Sequence, residues 1–222
     1  MPTNAASVSM TLASHPDQRL LQNASKLADQ ALQQFRRVRQ IVTNPSADRN
    51  WRDGDHQAVI ESIARRIDQD ALAALDHASV TPRTVRVIEL CMATAQECRD
   101  GSREATDVGR AMLHGNGKIL ASFGRNELTA LEGTLETTEN YFERAIEALE
   151  HLDGFGAESI QIALKSDACD KLSRLRTAFD RRSRSSRPVP ALLHLVRISA
   201  CVESYHHATN SICTHIKHCC SN

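Results

Sequence analysis

Apolar residues recur at intervals of three and four along most of the chain, and no alternating pattern runs long enough for a strand. From Asp17 to Thr43, Leu20, Leu21, Ala24, Leu27, Ala28, Ala31, Phe35, Val38 and Val42 trace one stripe of a helix. Asn44-Pro45 ends it, since proline lacks an amide hydrogen and restricts the residue before it. After the polar stretch SADRNWRDGD, the residues Ile60, Ile63, Ile67, Ala71 and Leu75 predict a second helix that begins beyond Asp53-Gly54-Asp55. Thr81 has the chemistry of an N-cap and Pro82 suits the first helical position, so a third helix runs from Pro82 to about Leu113. His114-Gly115-Asn116-Gly117 is the strongest break in the chain. A fourth helix spans about Arg125 to Leu152 and stops at Asp153-Gly154; a fifth covers about Ala157 to Arg181, and a sixth about Pro188 to His218. The expected fold class is all-α.

The six segments read as three segments written twice. At an offset of 107, Leu21, Ala24, Ala28, Phe35 and Val42 fall on Leu128, Leu131, Leu135, Phe142 and Leu149. At 108, Ile60, Ala64, Ile67 and Ala71 fall on Ala168, Leu172, Leu175 and Phe179; at 106, Pro82 falls on Pro188 and Glu97 on Glu203. One-residue slips are what unequal loops would produce. The expectation is two tandem, pseudo-repeated three-helix bundles, at residues 17–114 and 125–219, with a disordered arm at 1–16 and a linker at 115–124.

Composition narrows the class further. Apolar residues make up 41% of the 222 positions and aromatic residues only 4%, so the core has to be built from Leu, Ile, Val and Ala, which suits helix-on-helix packing. The 27 basic and 27 acidic residues cancel, which gives no pull towards nucleic acid or an anionic membrane. No apolar run is long enough for a membrane span, and the N-terminal stretch has neither a charged n-region nor an h-region. With no export signal, the seven cysteines read as reduced thiols in a cytoplasmic protein.

Candidate chemistry concentrates on the third and sixth helices. Asp100 and Glu104 are four apart, a spacing that places both carboxylates on one helical face where they could chelate a hard cation. The alternative is a solvated face, interleaved with Arg99 and Arg103. On the last helix His207, His215 and His218 share a stripe with Ser211, while His206, Asn210 and Cys213 follow the neighbouring one. Imidazole and thiolate at that spacing could hold zinc or iron, and the opposing reading is a histidine-lined helix groove. Gly115-Asn116-Gly117-Lys118 lacks the strand and spacing of a phosphate loop and reads as a turn. Arg174, Arg176, Arg181, Arg182, Arg184 and Arg187 form a local basic cluster, Cys91, Cys98 and Cys201 read as small core side chains, and Trp51 is a candidate partner anchor. No Ser–His–Asp, Cys–His or paired-carboxylate arrangement marks a catalytic centre.

Two tandem three-helix bundles of this size resemble the PhoU family of bacterial phosphate-transport regulators. In that family the third helix of each repeat opens with a D-L-R-type segment and goes on to E-R-I-G-D-H-A-x-N-I. Here the second repeat reads Val202-Glu203-Ser204-Tyr205-His206-His207-Ala208-Thr209-Asn210, whose HATN matches the motif's end. In the first, Pro82-Arg83-Thr84-Val85-Arg86-Val87-Ile88 is similar to the opening segment, with Arg86 in place of the family's arginine. The family's Glu/Asp pairs, four apart, read Gln96/Asp100 and Val202/His206 here; a second alignment pairs Glu97 with Gly101 and Glu203 with His207. The resemblance implies a non-enzymatic regulator that forms a homodimer, contacts a phosphate transporter and a sensor kinase, and reaches the membrane only through those partners. It also implies divalent, iron or zinc ions, for which Glu97, Asp100, Glu104, His206, His207, Asn210 and His215 are the candidate ligands. Arg86 and Trp51 are the candidate partner contacts. The alternative is a metal-binding helical bundle that uses the His/Cys-rich last helix.

Overall fold

A computed structural model describes residues 16–44, 53–76, 80–114, 123–168 and 189–221, with 170, 171, 173, 174 and 177. Among them are six α-helices: α1 (Pro16–Thr43), α2 (Asp53–Leu75), α3 (Pro82–His114), α4 (Arg125–His151), α5 (Gly154–Ala163) and α6 (Val189–Cys220), with no strand. A π-helical turn, Leu164–Ala168, continues α5. No helix among the described residues is long and apolar enough to cross a membrane. The arm up to residue 15, Trp51, the linker residues 115–122 and the basic segment 181–187 lie outside the described residues.

The ends of the helices are set by local chemistry. Thr81 accepts the Thr84 amide at 3.1 Å, as an N-cap threonine should. At the start of α4 the Glu127 carboxylate accepts the Gly124 amide at 2.9 Å. α4 closes on Leu152, a non-glycine residue at φ 48°, and the Asp153 amide bonds back to Ala148 O at 2.9 Å. Asp153 was expected only as a stop. It also caps α5, accepting the Phe155 and Gly156 amides at 3.1 and 3.0 Å. A Cβ on Gly156 would stand 2.5 Å from the Asp153 carboxylate, so glycine there makes room for the cap. This moves the start of α5 from about Ala157 to Gly154.

Helices α1, α2 and α3 pack on one another, as do α4, α5 and α6, and the two sets share one continuous core. α1, α3, α6 and α4 form a four-helix ring in which α3–α6 is the most extensive pair; α2 lies against α1 and α3, and α5 against α6 and α4. Both cross-set pairs run antiparallel: Arg36 meets Glu143 and Asp29 feels Glu150 on one side, while Arg86 meets Ser221 and Glu97 meets His207 on the other.

The duplication appears in the burial itself. Buried positions 24, 27, 28, 31, 32, 34, 35, 38, 41 and 42 of α1 recur in α4 as 131, 134, 135, 138, 139, 141, 142, 145, 148 and 149, an offset of 107. The buried positions of α6 (195, 198, 201, 202, 205, 208, 209, 212, 213 and 216) fall on buried positions of α3 at the same 107. The offset of 106 suggested by the prolines and by Glu97/Glu203 is therefore one residue off. It would pair buried Cys91 with exposed Arg197 and buried Gly101 with exposed His207. The proline marks only where a helix starts, whereas packing sets its phase. The 108 alignment of α2 rests on Ala168, Leu172, Leu175 and Phe179, whose side chains lie outside the described residues.

At the centre of the ring sits Tyr205. Its ring stands 4.5 Å from Phe35 and 5.0 Å from Phe142, centroid to centroid, so it lies between two residues that the repeat makes equivalent. Its hydroxyl donates to Ala31 O at 2.7 Å, which satisfies the one polar atom this burial would strand. A Cβ on Gly101 would approach its ring to 3.2 Å, so α3 passes close to the aromatic.

Candidate functional site

The sequence-predicted residues lie on α3 and α6, the two helices in most extensive contact. Their register sorts them by direction. Gln96, Asp100 and Glu104 on α3 and Glu203 and His207 on α6 occupy surface positions, each helix burying its opposite stripe. Gln96 Nε2 donates to Asp100 Oδ2 at 2.7 Å, and Arg103 closes on the other oxygen of Asp100 at 3.3 Å. Glu97 reaches across the helix pair to His207, with 3.4 Å between Oε1 and Nε2. Arg99 turns towards α2, 2.8 Å from Asp68 and 3.5 Å from Glu61, and Arg103 also meets Glu61 at 3.3 Å.

His206 points into the protein. Its Nε2 lies 2.9 Å from Thr138 Oγ1, and the Thr138 hydroxyl donates to Thr134 O at 2.8 Å. The hydroxyl has a single hydrogen, so His206 supplies the other: the ring is the neutral Nε2–H tautomer. Burial lowers its pKa to about 4, against the opposing pull of Glu203. Asn210 turns instead to α5, where its Oδ1 and backbone oxygen each accept from Gln161 Nε2 at 3.2 Å. His215 is half-buried further along α6.

These donors do not assemble into one cation site. Asp100 is held by an arginine and an amide, His206 by a threonine, and Asn210 by a glutamine, in three different directions. Among the described residues no group of three or more His, Cys, Asp or Glu side chains converges to hold a metal ion. The carboxylate pair does lie on one helix, but a third ligand has to come from a neighbouring element, and the carboxylates that α2 brings, Glu61 and Asp68, are paired with Arg99 and Arg103 of α3.

Arg86 acts inside the chain. Its guanidinium donates to Ser221 O and its carbonyl accepts the Cys219 thiol at 3.2 Å, which places a cation at the carbonyl end of α6. Periodicity could not single out another group, the α1–α4 charges. Arg36 binds Glu139 at 2.7 Å and Glu143 at 2.6 Å, and Arg39 binds Glu139 at 3.0 Å, although Glu139 is almost fully buried. Buried Gln34 likewise donates to Ser102 O at 3.0 Å. The sign in the sequence was a polar residue at a buried phase of the stripe, which is visible only once the phase is known.

No family model matches the chain, and no curated protein matches its sequence. Among solved structures, the crystal structure of PhoU from Pseudomonas aeruginosa matches with a TM-score of 0.79 at 13% identity, over 91% of this chain and 95% of that one. This chain has a PhoU-like fold. The likeness takes in both halves rather than one bundle, and at this identity it is a likeness of fold alone.

Proposed function

We propose that this protein is a non-enzymatic regulator of phosphate uptake and phosphate signalling that works in the cytoplasm through protein–protein contacts. The observation that carries the reading is the match to PhoU across nearly the whole of both chains. The α3–α6 face agrees with it. Asp100, Glu104, Glu203 and His207 present charge and hydrogen-bonding groups to solvent there, to which a partner of complementary charge can dock.

The test is deletion of the gene in its host, with phosphate uptake and phosphate-starvation transcription measured in phosphate-replete medium. Both are expected to rise. A chain carrying Asp100→Ala, Glu104→Ala and His207→Ala should fold, by its helical circular dichroism, and yet fail to restore repression or to retain the transporter ATPase in a pull-down. Unchanged uptake and transcription after deletion would sink the reading.

A further inference from the structure

A second feature lies at the far end of α6, away from the face described above. The end of the helix meets the corner between α4 and α5 in an open groove of about 600 Å³, a size that suits a small organic ligand. Leu152 and Phe155 form its apolar side, and the Phe155 ring is 86% exposed. Asp153, Glu158 and Lys217 bring both signs of charge, and Cys220 lines the same groove.

We propose that this groove is a thiol-exchange site: it seats a small, carboxylate-bearing disulfide, the oxidised form of an amino-acid-derived thiol, against Cys220. The other described cysteines are poorly placed for such chemistry. Cys91, Cys98, Cys201 and Cys213 are buried, and burial pushes their thiols up, that of Cys213 to about 12. Cys219 is half-buried, donates to Arg86 O and is pushed up to about 11. Cys220 also donates to a carbonyl, Leu152 O at 3.0 Å, so it is exposure that sets it apart from Cys219. Gly154, which also lines the groove, lies against Cys220: a Cβ there would come within 3.1 Å of the Cys220 Cβ, so glycine leaves room beside the thiol. An adduct on Cys220 extends into the groove that this residue lines. There the Lys217 ammonium, 3.4 Å from Glu158 and 3.3 Å from Gln161 Oε1, exchanges these long contacts for the ligand's carboxylate, which frees Glu158 to meet the ligand's ammonium beside Asp153.

The chemistry balances without a further reagent. The Cys220 thiolate attacks one sulfur of the disulfide, the reagent's S–S bond breaks, and a Cys220–S–S–R bond forms. The other half leaves as a thiolate and takes up the proton that Cys220 lost. Cys220 is oxidised and the reagent is reduced. The thiol's hydrogen bond to Leu152 O is lost in the step, which loosens α6 from the α4–α5 corner.

The experiment uses the full chain with two probes, oxidised glutathione and the uncharged bis(2-hydroxyethyl) disulfide, with adducts mapped and timed by peptide mass spectrometry. Cys220 should react before the other described cysteines. Lys217→Gln should lower the ratio of the glutathione rate to the uncharged-disulfide rate by about threefold to fivefold, the worth of one exposed ion pair. Any general effect of the lysine on thiol reactivity touches both probes and cancels in that ratio. An unchanged ratio, or first modification at Cys219 or at a buried cysteine, overturns the proposal.

Discussion

The two halves of the molecule bury the same positions and fill them differently, and the differences gather where the halves meet. At the offset of 107, Cys98 corresponds to Tyr205, and only Tyr205 occupies the space between Phe35 and Phe142. Two identical halves would place two tyrosines against one another there, and a close-packed core has no room for both. Arg36 and Glu143 are likewise equivalent and bond directly at 2.6 Å. Identical halves would oppose arginine to arginine or glutamate to glutamate. A duplicated fold packed about its own pseudo-axis improves by becoming unlike at that axis, whereas away from it the stripes can stay alike. His206 and Arg99 extend the contrast: the first turns neutral towards Thr138, and the second turns charged towards α2.

The sharpest way to break this comparison is at the central pair. Tyr205→Ala should cost about 3–5 kcal/mol, because it removes a fully buried aromatic together with its hydrogen bond to Ala31 O. Cys98→Ala, the equivalent position, removes only a sulfur and should cost about 1 kcal/mol. Chemical denaturation of both variants measures the difference, and equal losses would refute an asymmetric centre.

Acid should find His206 next. Its folded pKa, about 4, lies below the ordinary 6.5, so between those values the unfolded chain binds the proton and the folded one resists it. The stability that depends on this residue is complete above pH 6.5 and is lost as the pH falls towards 4, by up to about 3 kcal/mol. His206→Gln keeps an N–H for Thr138 and cannot titrate. Its stability, followed by urea midpoint from pH 7 to 4.5, should fall less steeply than that of the unaltered protein.

The charged seam should give the smallest effect. Arg36→Glu sets a third carboxylate beside Glu139 and Glu143 and should cost about 1–2 kcal/mol, since the arginine is part-exposed. The exchange Arg36→Glu with Glu143→Arg should recover part of that loss. A double-mutant cycle with no coupling would show that the seam is decorative.

Much of this architecture was legible in advance because it is local. The stripe from Leu20 to Val42, the Thr81-Pro82 start and the break after His114 involve residues within a few turns of one another, and the helices begin and end within a residue or two of those signals. The fifth helix was placed less well, because Asp153 reads equally as a stop for α4 and as a cap for α5. Its role depends on a carboxylate swinging back onto Phe155 and Gly156. The candidate metal ligands fared differently again. Asp100 is taken up by Gln96 and Arg103 of its own helix, while His206, Asn210 and Glu97 meet partners from α4, α5 and α6, which spacing along one helix does not show.

By itself the sequence determined the helices, their apolar faces and the duplication, because hydrogen bonding within a helix and the burial of a stripe depend on short-range order along the chain. Only the tertiary structure decided the phase of α6 against α3, and with it which histidine faces solvent and which faces Thr138. A shift of one residue turns a helix by about 100°, too small to disturb a repeat judged by eye and large enough to carry a side chain from surface to core. That rotation is set by packing across the four-helix ring, where one tyrosine fits and two would not.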